Sequence, residues 1–224
     1  MTLARIIALA GAFCMANLPA HAEAIVFANV IGNISGGMGI TGSSFGSGSV
    51  ATAFIPTAEF LLTGAKVEVF QVFEPGVDGD GLFDASLYSN SLVSCGVRGT
   101  CDIPGSLIAT LGTGIEAPGG GGLVTISNLP EQLLLSAGTE YWLVLSPFDS
   151  TTNVSWEIAG STPDVASAIL ASGRWTNIGP NELQFEIDGA SKPEPGTLAL
   201  VGTAAVLAGA ILRRTRRGAK AGVS

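Results

Sequence analysis

The stretch EPGVDGDGLFD sets Glu74, Asp78, Asp80 and Asp84 along a glycine-rich segment. Closely spaced carboxylates on a turn are hard oxygen donors that suit calcium. The pattern is not an EF-hand, because Leu82 stands at the fifth position and no glutamate at the twelfth. The competing reading is that Asp and Gly simply make the turn. A second set of acids, Glu68, Asp84, Glu157 and Glu186, falls on candidate strands. Paired carboxylates can hydrolyse glycosides, although outward acids on alternating strands also form an ordinary solvated face. Aromatic side chains offer a third chemistry, stacking on sugar rings. Trp156 is better assigned to the core, whereas Trp175 in GRWTNIG, beside Arg174 and between glycines, is the preferred exposed loop candidate, with Trp142 and Tyr88 behind it.

Several chemistries are excluded. The only histidine is His21, in a segment predicted to be removed. A mature body without histidine cannot build a Ser-His-Asp or Cys-His centre and lacks the commonest nitrogen ligand for metals. A non-enzymatic protein is therefore expected, without a resident cofactor other than calcium. From Glu23 to Ser191 there are 17 acidic residues against Lys66, Arg98 and Arg174, a net charge of −14. Such a body repels phosphates, which argues against nucleic-acid partners. Cys95 and Cys101 in CGVRGTC are expected to form a local disulfide in an oxidising compartment. A zinc site is the rival, and lacks the further ligands it needs.

The elements that must position these residues read as strands. LFDASLY alternates Phe83, Ala85 and Leu87 against Asp84, Ser86 and Tyr88; VSWEI does the same with Val154, Trp156 and Ile158, and LQFEID with Leu183, Phe185 and Ile187. AKVEVFQVF and TEYWLVLS are more continuously apolar, as central strands covered on both faces should be. Turn chemistry in GVDGDG, IPGS, APGGGG, SAG, GSTP and NIGPN separates them. The expected fold is all-β, an antiparallel β-sandwich of jelly-roll-like type. One short helix is predicted over Pro163–Gly173, and the glycine-rich stretch 32–49 is expected to be flexible or a loose edge hairpin.

Both ends read as addresses. Residues 1–22 have a positive start at Arg5, an apolar run and an Ala20-His21-Ala22 cleavage site, the pattern of a secretory signal peptide. At the other end Pro193-Glu194-Pro195 precedes the apolar span 197–212, about 24 Å long as a helix at ~1.5 Å per residue. Arg213, Arg214, Arg216 and Arg217 follow and would hold this end in the cytoplasm. The two prolines stiffen an extended segment that a protease cleft can accept as a strand.

In that order the three parts resemble the PEP-CTERM sorting signal of Gram-negative bacteria, over residues 192–224. The resemblance implies export through the Sec machinery, a membrane-tethered intermediate, cleavage by an exosortase and delivery to the cell surface or extracellular matrix. The body, 23–191, resembles the choice-of-anchor R domain through ATAFIPTAEFLLTGAKVEVFQV, FDASLYSN, IPGSLIATLGTG and LSAGTEYWLVLS. That likeness implies a surface β-sandwich with no assigned catalytic residue. The expected function is a non-catalytic surface or matrix protein; the alternatives are an exopolysaccharide-binding module and a carboxylate-based glycosidase.

Overall fold

A computed structural model of the chain describes residues 24–29, 34–43, 48–73, 79–95, 99–127, 129, 133–159, 166–180 and 183–191. The signal peptide, the Pro-Glu-Pro motif, the span 197–212 and its arginines lie outside the described residues. The chain divides into two units, Met1–Ala190 and Ser191–Ser224, and all but the last described residue belong to the first.

The first unit is all-β. Its strands are β1 Ala24–Ala28, β2 Ile34–Thr41, β3 Gly48–Phe54, β4 Phe60–Gln71, β5 Leu82–Ser94, β6 Thr100–Glu116, β7 Gly122–Ile126, β8 Leu133–Leu135, β9 Tyr141–Pro147, β10 Asn153–Ala159, β11 Ala166–Ala171, β12 Arg174–Pro180 and β13 Phe185–Ser191. All 13 belong to one hydrogen-bonded sheet in the order β1-β13-β4-β10-β2-β3-β9-β5-β6, with β7 and β8 on β4 and the β11–β12 hairpin on β3. Each pairing with a given register is antiparallel. Among the described residues no helix is long and apolar enough to cross a membrane.

The expected alternation builds the core. Phe83, Ala85 and Leu87 from β5, Val154 and Trp156 from β10, and Leu183, Phe185 and Ile187 around β13 are buried in one cluster, with Ile158 packed partly buried against it. The cluster draws on every strand from β2 to β10 as well, so the sheet's inner face wraps round it. At its centre the rings of Phe27 and Phe185 stack at 5.0 Å, and Trp156 meets Phe185 edge-on at 6.4 Å. The Trp156 indole donates to the Gln184 carbonyl at 2.8 Å, which satisfies the one polar group this ring brings inside. Asn29 ties β1 to the segment leading into β13: its amide donates to the Leu183 carbonyl at 2.6 Å and accepts from the Phe185 N–H at 2.8 Å.

A smaller cluster forms on the opposite face from Ala51, Ala53, Trp142, Val144 and Ala168, with Tyr88, Ala166 and Trp175 packed on it. β9 therefore is covered on both faces, as its continuous apolarity predicts. β4 is central but covered on one: Ala65, Val67 and Val69 enter the core, while Lys66, Glu68 and Phe70 are half-buried on the other side.

Three local expectations are corrected. Within the predicted helix, residues 166–171 form strand β11, which turns through Ser172 and Gly173 into β12. A segment whose composition suits a helix is captured here by hydrogen bonding to β3 on one side and β12 on the other. The glycine-rich stretch supplies β2 and the start of β3, which lie inside the sheet between β10 and β9. Glycine is needed there because a Cβ on Gly37 would collide with Oγ of Ser155 on β10. IPGS is no turn: Pro104 sits within β6, opposite Asn90 and next to a register shift, on an edge strand where a missing N–H is tolerated.

Candidate functional site

Cys95 and Cys101 form the expected disulfide, with Cα atoms 5.8 Å apart, and it closes the β5–β6 hairpin. The Cys95 N–H donates to the Gly99 carbonyl at 2.8 Å inside the same loop.

Of the four candidate calcium ligands, Glu74 and Asp78 lie outside the described residues. Asp80 latches the β4–β5 connection to the β9–β10 connection, whereas Asp84 joins strand β5 to β6. Asp80 accepts from the Leu82 N–H and from the Thr151 hydroxyl, each at 3.2 Å, and its backbone is bonded to Thr151 and Asn153. Asp84 accepts from the Gly114 N–H at 2.9 Å. Beside Asp80, Asp149 accepts from the Thr151 N–H and hydroxyl, both at 2.7 Å, and from the Thr152 N–H at 3.1 Å. These donors, Thr151 first, hold the Asp149 carboxyl below its ordinary value. The connections β4–β5, β6–β7 and β9–β10 are thus sewn together at one end of the sheet. No group of three or more His, Cys, Asp or Glu side chains arranged to hold a metal occurs among the described residues.

The same end carries the two aromatic rings that stand most open. Phe73 is 69% and Phe148 46% exposed, and no other aromatic side chain among the described residues is classed as exposed. Each ring lies against a glycine of one connection: a Cβ would come within 3.2 Å of the Phe73 ring at Gly119 and 3.4 Å of the Phe148 ring at Gly114. The sequence carried a signal for both, a phenylalanine beside turn residues in FEPG and SPFDS, where nothing demands a large apolar group.

The tryptophans proposed for sugar contact are placed otherwise. Trp142 is 0% exposed on β9 and donates its indole N–H to Asn90 Oδ1 at 3.1 Å, so neither ring face is open to a ligand. It belongs to the opposite-face cluster because β9 must bury both sides. Trp175 stands on strand β12 rather than on a loop and is half-buried against that cluster, as is Tyr88.

Around Trp142 runs a polar network that sequence reading missed. Asn90 Nδ2 donates to Asp102 Oδ1 at 2.6 Å, and Asn177 Nδ2 donates to the Asp102 carbonyl at 2.8 Å, which ties β12 to β6. Glu140 shares a side-chain hydrogen bond with Asp102. Burial, then the Asp102 charge and that bond, push its carboxyl up to about 7. No local motif joins residues so far apart in the chain.

Of the candidate glycosidase acids, Glu68 and Glu157 come together on the adjoining strands β4 and β10, whereas Asp84 and Glu186 are engaged elsewhere. Glu186, with Asp188, is paired to Lys66, whose ammonium is held above its ordinary value chiefly by the bond to Glu186. Glu157 is 4% exposed, its Oε2 lacks a hydrogen-bond partner among the described residues, and burial followed by the Glu68 charge raises its carboxyl. Asp84 is on β5, bonded to Gly114.

Compared with family models, curated proteins and solved structures, the chain gives no match.

Proposed function

We propose that the protein is an exported, non-catalytic surface or matrix component, a β-sandwich of jelly-roll-like form released from the membrane by an exosortase. The observation that carries the export half is the Cys95–Cys101 disulfide on an all-β body, a bond that persists outside the reducing cytosol. The sorting half rests on Pro193-Glu194-Pro195, the apolar span and the arginines, in that order. The resemblance to the PEP-CTERM signal and the choice-of-anchor R domain stands behind both. Glu194→Ala in a strain with working sorting machinery is expected to leave the precursor in the membrane fraction. Wild-type protein should appear outside, without the residues after Leu212. Recovery of mature wild-type molecules still carrying those arginines would overturn this reading.

A second reading, binding of exopolysaccharide, is favoured by the two exposed phenylalanine rings at one end of the body. A glycosidase is supported less. Hydrolysis needs two carboxyls about 5–9.5 Å apart with room for sugar between them. Asp84 and Glu186 are engaged elsewhere, Glu140 and Asp102 are in direct contact, and of the neighbouring pair Glu68 and Glu157 the latter is buried, at 4% exposure.

A further inference from the structure

Phe73 follows β4, Phe148 follows β9, and the glycines beneath them, Gly114 and Gly119, belong to the end of β6 and the turn into β7. These glycines are five positions apart, a span of at most ~18 Å even if fully extended. Both rings therefore lie within reach of one short run of sugar units. Each is backed by main chain on one side and open on the other. A phenylalanine has only two side-chain torsions to fix, so holding its ring ready for a ligand costs little entropy.

The charge at this end selects among ligands. Asp80 and Asp149 lie in these connections and Glu116 ends β6 beside them, and the donors from Thr151 and Thr152 hold the Asp149 carboxyl below its ordinary value. The only cationic side chains among the described residues are Lys66, paired with Glu186 and Asp188 on β4, and Arg174, at the β11–β12 turn. An anionic glycan would meet repulsion here, with no unpaired lysine of the described residues near these connections to offset it. Carboxylates do accept hydrogen bonds from sugar hydroxyls.

We propose that Phe73 and Phe148, with Asp149 next to Phe148 in the chain and Glu116 between the two glycines, form a platform on which a neutral polysaccharide chain stacks. This rests on the exopolysaccharide reading above and gives it a location and a charge class. The rings supply contact area and the acids fix orientation through sugar hydroxyls, the usual division between apolar and polar groups in a recognition site.

The test is affinity electrophoresis of the full-length chain, in mild detergent, through gels containing a neutral glucan, galactan or mannan, or acidic alginate. Retardation by a neutral glycan is expected, with little by alginate. Phe73→Ala and Phe148→Ala should each weaken it about tenfold, as for a central aromatic contact, and the double variant should abolish it. Both rings are exposed, so melting temperatures should stay at the wild-type value. Neutral-glycan binding that survives the double variant, or that falls with Trp175→Phe instead, overturns the platform while leaving the carbohydrate reading standing. Preference for alginate overturns the charge assignment and with it the proposal. Failure of the wild-type chain to bind any of the glycans overturns both, and leaves the exported-surface reading untouched.

Discussion

Trp156 shows how one residue serves the core twice. Its ring fills the space beside Phe185, and its N–H satisfies the Gln184 carbonyl just outside β13. Trp156→Phe keeps most of the apolar volume and removes the donor. The Gln184 carbonyl keeps the Glu68 N–H at 3.1 Å, so a loss of about 0.5–1.5 kcal/mol is expected, the net worth of one hydrogen bond. The urea midpoint should fall with the m-value unchanged; an unchanged midpoint would mean that the Glu68 N–H alone satisfies the carbonyl. Burial of this side chain was readable from the alternation of VSWEI, but its hydrogen bond was not, because Gln184 is remote in sequence. The same limit hid the Glu140–Asp102 contact. For Trp175 the neighbouring glycines misled: Gly173 belongs to a tight turn and Gly179 lies within β12, so the residue between them is on a strand.

Among the elements, the β5–β6 hairpin is held by paired residues along most of its length, from Leu82↔Glu116 to Ser94↔Thr100, and the disulfide runs from Cys95, just past the last pair, to Cys101, which stands opposite Val93. Opening so small a loop removes about 2 kcal/mol of stabilisation in the chain-entropy account. The double variant Cys95→Ser, Cys101→Ser should lower the melting temperature, yet keep a cooperative transition and the near-ultraviolet signal of the buried tryptophans. A non-cooperative melt would show that the hairpin tip governs the whole body. In strands with a strict two-residue pattern the core face was legible, since Phe83–Leu87, Val154–Ile158 and Leu183–Ile187 turn their apolar side chains to the core; the polar face of the last two was not, because Ser155, Glu157, Gln184 and Glu186 are buried as well. β11 and β2 were not legible. The first is an Ala-, Ile- and Leu-containing segment whose state is decided by β3. The second lacks the side chains that announce a strand, and of its three glycines only Gly37 lies against Ser155.

At the scale of the whole molecule, the acids set how stability depends on pH. Burial raises the carboxyls of Glu140, Glu157 and Asp188, the last against the opposing pull of Lys66. A carboxyl whose folded pKa lies above its unfolded value leaves the native state holding more protons between the two. Its contribution is then present in acid and lost as pH rises through the folded value. For Glu140 that window runs from about 4.5 to about 7. The melting temperature should therefore fall from pH 5 to pH 8, with self-repulsion of the acidic body acting in the same direction. Glu140→Gln should flatten the fall; a melting temperature that rises over this range would refute the assignment. The pairing of β1 with β13, which sets Ala24 opposite Gly189, has a consequence in time. The earliest described strand waits for the last one to be synthesised before its edge is covered, and Asn29 cannot close its two bonds until Leu183 and Phe185 have emerged. A ribosome or a secretion pore still holding β13 thus leaves β1 and Asn29 without these partners.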